Sequence, residues 1–123
     1  MKIESDRMII FDWLCEKMKK IFHNTWEIPT FLADEKKRYC VIFSGVVQGV
    51  GFRYETWTIA KKLGVTGWVE NLSNGDVYLE IQGEENKLQY LINCLKTNRR
   101  FYVQNVKIEE MELVEDKEFV LAN

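Results

Sequence analysis

The chain has 123 residues, 46% of them hydrophobic and 13% aromatic, which is enough apolar material for one domain of ordinary size with an appendage. Seventeen Lys and Arg stand against nineteen Asp and Glu, a formal charge of −2, so no basic field draws nucleic acid or an acidic membrane surface. No apolar run approaches the roughly 18 residues of a membrane span, and the N-terminus lacks a secretory signal, so the expected location is the cytoplasm.

Residues 1–37 differ in character from the rest and are taken as an N-terminal extension. From Met8 to Phe22, Phe11, Leu14, Met18 and Ile21/Phe22 recur at helical spacing, with Asp12, Glu16, Lys17, Lys19 and Lys20 on much of the other face. The spacing predicts an amphipathic helix. Its apolar stripe needs a partner, because a lone helix of about 15 residues is marginal in water. Packing on the following domain comes first, self-association second, and membrane-surface contact a distant third, because the balanced charge of residues 1–37 gives no electrostatic reason for it. Pro29 falls in the linker, and Asp34-Glu35-Lys36-Lys37 leads into the second unit, residues 38–123.

Tyr39-Cys40-Val41-Ile42-Phe43 reads as a strand. Arg53 to Leu63 reads as a helix burying Trp57, Ala60 and Leu63 and stopped by Gly64. Val65 to Asn71 reads as a second strand, with Trp68 in the core by default. Asn74-Gly75 predicts a two-residue I′ hairpin turn. Val77, Leu79 and Ile81 then alternate with polar residues as a third strand. Gly83-Glu84-Glu85 opens a second helix, with Leu88, Leu91, Ile92 and Leu95 on one stripe. A last strand runs from about Val103 to Leu113, where the parity of apolar residues suggests a bulge or an end near Glu109. Glu109 to Glu118 reads as a solvated acidic edge, and Phe119-Val120-Leu121 closes the chain. The order β-α-β-β-α-β predicts an α+β, ferredoxin-like sandwich: an antiparallel sheet with two helices on one face. That fold hosts many unrelated functions.

The chemistry concentrates in Ser44-Gly45-Val46-Val47-Gln48-Gly49-Val50-Gly51-Phe52-Arg53. A strand enters this stretch and a helix leaves it, so its N–H groups can face an anion as a concave nest at a helix start. Arg53 adds a planar fork that fits two oxygens of a phosphate or carboxylate. Neither common nucleotide loop fits. The dinucleotide fingerprint would need glycine where Tyr54 stands, and the P-loop fails because Val50 lies five after Gly45 with no lysine following.

A second stretch, Gly64-Val65-Thr66-Gly67-Trp68-Val69-Glu70-Asn71, completes the pattern. With Ala60 and Leu63 between them, and Asn74-Gly75-Asp76-Val77 after, these residues resemble the acylphosphatase family over about Tyr39 to Leu121. The resemblance implies hydrolysis of the carboxyl–phosphate bond of acyl phosphates, giving a carboxylate and inorganic phosphate. It makes Arg53 the phosphate-binding catalytic arginine and Asn71 the residue that orients the attacking water. It makes Val47, Gln48, Gly49, Val50, Gly51 and Phe52 the phosphate cradle. Three positions depart from the family pattern: Val46, Asn74, and Asn98-Arg99-Arg100-Phe101 in place of a segment rich in Gly and Pro.

The lone histidine, His23, lies in the extension, and no cluster of His, Cys or carboxylates has metal-ligand spacing. Cys15, Cys40 and Cys94 form no C-x-x-C, which argues for free thiols in a reducing compartment. An acyl phosphate makes this poverty acceptable. Its leaving group is a stable carboxylate, so no protein acid is needed, and no metal or cofactor is expected. The rival reading is a non-catalytic anion-binding module, which would have no use for the amide of Asn71. An RNA-recognition domain is disfavoured by the acidic charge and the lack of an aromatic central-strand motif. The chain ends soon after the domain without cysteine-rich zinc modules, so a stand-alone protein is expected rather than the first domain of a larger maturation enzyme.

Overall fold

The computed structural model describes residues 28–123. The amphipathic helix expected within Met8–Phe22, and self-association through it, lie outside the described residues.

The apolar alternation from Tyr39 becomes β1, Lys36–Val46, which buries Tyr39, Val41 and Phe43 on one face. Helix α1, Phe52–Leu63, follows and ends at Gly64. Strands β2, Thr66–Asn71, and β3, Val77–Glu84, form a hairpin, and α2, Glu85–Thr97, crosses back to β4, Tyr102–Met111. A short β5, Phe119–Leu121, closes the sheet in the order β4-β1-β3-β2-β5. Val77, Leu79 and Ile81 of β3 join the β1 residues against Ile59, Ala60 and Leu63 of α1 and Leu88, Leu91, Ile92 and Leu95 of α2. Each of the Val, Leu, Ile and Phe side chains among them contributes ~1.5–3 kcal/mol on burial.

Several details differ from the sequence reading. The sheet is mixed, because β5 pairs in parallel with β2 while the other pairings are antiparallel. The hairpin turn is not type I′. Only Gly75 has positive φ (99°), and Gly75 N–H bonds Leu72 O, so residues 72–75 form a four-residue turn whose last residue is a left-handed glycine. Asn74 stays at negative φ with its Oδ1 accepting from Asp76 N–H. The parity break in β4 comes earlier than Glu109. Gly45 pairs with Val103 and Ser44 with Asn105, so Gln104 is the extra residue of a bulge, and regular pairing then runs to Met111. Finally, Trp57 and Trp68 are half-buried rather than core. In β2, only Gly67 and Val69 face inward, which leaves Trp68 on the other side of the sheet beside Tyr78, ring centroids 6.3 Å apart.

That second face holds a buried cation. Arg38 is 1% exposed and donates to Glu80, Gln82 and Asp116, with its guanidinium 5.7 Å from the centre of the Trp68 ring. Burial alone would lower its pKa, but the hydrogen bonds to Asp116 and Glu80 outweigh that and raise it. Asp116 therefore belongs to an ion-pair network rather than to a purely solvated acidic edge. Gln82 completes the clasp on the segment after β4: its Nε2 donates to Val114 O and its Oε1 accepts from Val114 N–H.

The segment before β1 caps α2. Glu84, at the helix's N-cap position, makes no side-chain capping bond. Asp34 Oδ2 accepts from Asn86 N–H instead, and Glu35 O accepts from Glu85 N–H. Two N–H groups of the first turn are thereby satisfied from outside the helix. Phe31 lies edge-on to Tyr90, with centroids 5.5 Å apart.

Candidate active site

Three parts of the chain meet at one end of the sheet: the loop of residues 47–51 with the first turn of α1, the end of β2, and the residues just after β5.

The loop is pinned from inside and from the side. Val47 is fully buried beneath it. Gln48 reaches sideways, its Nε2 donating to Leu72 O at 2.7 Å and to Asp76 O at 2.8 Å, which ties the loop to the β2–β3 turn. One amide nitrogen thus spends both protons on a neighbouring turn. Gly49 and Gly51 hold φ of 75° and 86°, the left-handed region where a side chain is strained. Gly51 leads directly into α1, and its carbonyl accepts the N–H of Glu55. The N–H groups of Phe52, Arg53 and Tyr54 precede that bond, so the helix itself supplies them no acceptor. Phe52 fixes the turn by burying its ring against Phe43 and Phe101, at 5.0 and 4.7 Å between centroids.

Arg53 is half-buried, and its Nη1 donates to Ala122 O at 2.7 Å. Asn71 ends β2, and its N–H bonds Asn123 O at 3.0 Å. Ala122 N–H bonds Val69 O, continuing the β5 pairing by one residue. Consecutive carbonyls of Ala122 and Asn123 therefore hold the guanidinium of Arg53 and the backbone of Asn71 side by side. The Asn71 side-chain oxygen is buried and has no hydrogen-bond partner among the described residues. A buried carbonyl oxygen of that kind costs ~1–3 kcal/mol unless something donates to it.

Sequence reasoning singled out the loop, Arg53 and Asn71, but not residues 119–123, which bring the last two together. A three-residue apolar segment behind an acidic stretch carries no pairing signal of its own. Among the described residues, no three His, Cys, Asp or Glu side chains form a group able to hold a metal ion. No described helix is long and apolar enough to cross a membrane.

The acylphosphatase family profile matches residues 39–121. The chain belongs to the acylphosphatase family. An acylphosphatase of Bifidobacterium longum is 42% identical over 77 residues, covering 62% of this chain and 79% of that protein. The solved structure of an acylphosphatase from Coxiella burnetii superimposes with a TM-score of 0.67 at 36% identity, over 71% of this chain and 93% of that one. The Bacillus subtilis acylphosphatase gives 0.67 at 32% identity, over 71% and 99%. Acylphosphatases are hydrolases acting on acyl phosphates, and the matched region contains the loop, Arg53, Asn71 and β5.

Proposed function

We propose that this acylphosphatase cleaves the carboxyl–phosphate bond without a metal ion, with the phosphoryl group held by the N–H groups of Val47–Phe52 and by Arg53, and the water aimed by Asn71. The single observation that carries the reading is the buried Oδ1 of Asn71, unpartnered among the described residues and set by one short segment beside the guanidinium of Arg53.

Several N–H donors and one guanidinium surround the dianionic phosphoryl group, each charge-assisted bond being worth ~1.5–3 kcal/mol. The bond from Nη1 to Ala122 O restrains the guanidinium, and its remaining donors are left for the equatorial oxygens. A water donates to Asn71 Oδ1, which places the water's oxygen in line with the scissile bond. An amide is no base at neutral pH, so Asn71 contributes position. The water oxygen bonds to phosphorus, the bond from phosphorus to the carboxyl oxygen breaks, and the carboxylate leaves with the electron pair. The water proton passes to a phosphoryl oxygen, so no protein group changes protonation. The substrate is a small acyl phosphate and the product inorganic phosphate, chemistry suited to a cytoplasmic enzyme.

The test is hydrolysis of benzoyl phosphate by the full chain and by Arg53→Ala, with and without EDTA. Turnover that is insensitive to EDTA and lost in the variant is expected. Turnover abolished by EDTA would overturn the metal-free reading. Phosphate binding by the wild type without any turnover would make the domain an anion-binding module.

A further inference from the structure

Val46 at the end of β1 lies opposite Tyr102 at the start of β4. The loop that leaves β1 and the loop that enters β4 are therefore neighbours. The second is Asn98-Arg99-Arg100-Phe101, the segment in which this chain departs from the family pattern. It turns back on itself through Phe101 N–H to Asn98 O and Arg100 N–H to Asn98 Oδ1.

The turn delivers Arg100 to the rim of the anion loop. Its guanidinium lies 5.3 Å from the centre of the Phe101 ring, and Nη2 donates to Glu55 Oε1 in the first turn of α1. The other terminal nitrogen, Nη1, is 3.8 Å from the point a Cβ on Gly51 would occupy. The side chain is thus held on two sides yet 57% exposed, while Glu55 beneath it is only 14% exposed. The bond to Glu55 uses one of the five guanidinium donors and keeps the group at the rim, out of competition with Arg53.

We propose that Arg100 is a specificity residue that receives a second anionic group, carboxylate or phosphate, on the acyl portion of the substrate. The enzyme then prefers acyl phosphates whose acyl chain is itself negatively charged. This rests on the loop of residues 47–53 being the phosphoryl site. With the phosphoryl group in the loop, the acyl chain must leave through the mouth, and Arg100 is the cation held against that mouth. Its contact lies away from the reacting phosphorus, so it acts equally on bound substrate and transition state and its effect falls on KM.

The experiment compares succinyl phosphate with butyryl phosphate, which has the same chain length and no second charge, using the full chain and Arg100→Gln. The wild type should prefer succinyl phosphate. The variant should lose about five-fold in kcat/KM on succinyl phosphate, through KM, the scale of a partly exposed ion pair. Its activity on butyryl phosphate should stay unchanged, and high salt should erode the wild-type preference. Equal losses on both substrates, or no wild-type preference, would overturn the role of Arg100 and leave the phosphoryl site standing. Hydrolysis of neither substrate would overturn the phosphoryl-site reading and Arg100's role together.

Discussion

Arg53 donates to the carbonyl of Ala122 at 2.7 Å across 69 residues of chain, a hydrogen bond that joins its guanidinium to the segment just after β5. Truncation after Leu121 removes that acceptor, the acceptor of Asn71 N–H and the bond from Ala122 to Val69. Two lost backbone bonds cost roughly 2 kcal/mol of stability. The loss of activity should be larger in proportion: kcat/KM on benzoyl phosphate should fall at least about ten-fold in a protein that still melts cooperatively. Retained activity would show that Arg53 is oriented without the C-terminal segment.

The roles of Arg53 and Asn71 separate in a binding assay. Arg53→Lys should lose inorganic phosphate affinity and turnover together, because a point charge replaces a planar fork. Asn71→Ala should keep phosphate affinity and lose kcat. Equal loss of affinity in the Asn71 variant would mean that the amide binds phosphate rather than water.

Arg38 is the buried member of a charged network, so Arg38→Met should destabilise the domain by about 3 kcal/mol by leaving Glu80 and Asp116 with uncompensated charge. Chemical denaturation of the two proteins measures it. A loss under about 1 kcal/mol would mean that water reaches the carboxylates readily.

Tyr78 supplies a pH signature. Burial first, then the hydrogen bond to Glu80 Oε2 at 2.6 Å and the charge of that carboxylate, push the phenol well above its usual value. The folded protein thus holds the proton more tightly than the unfolded chain. The stabilisation is fully present below the ordinary tyrosine value of about 10 and is lost as pH rises through the folded-state value. In denaturation series at increasing pH, the stability advantage of wild type over Tyr78→Phe should begin to shrink above about pH 10. A constant gap would contradict the assignment.

What the sequence disclosed followed from local rules. Alternation located β1 and β3, helical spacing located α1 and α2, and the glycine stretch marked the loop because left-handed φ at Gly49 and Gly51 suits no other residue. What it hid depends on contacts between distant segments. Arg38 reads in sequence only as the first residue of the second unit, and its burial depends on the return of the segment carrying Val114 and Asp116. Trp68 sits in a motif that invites a core role, but its parity in β2 sends it to the face with Arg38. Phe119-Val120-Leu121 is too short for periodicity to show that it pairs in parallel with β2.

The parallel placement of β5 also governs when the molecule becomes competent. Every other strand pairs within the segment from Lys36 to Met111, whereas Arg53 and Asn71 wait for residues 122–123. A chain paired from β1 to β4 with residues 119–123 still unplaced thus has most of its sheet and not yet the alignment of Arg53 with Asn71.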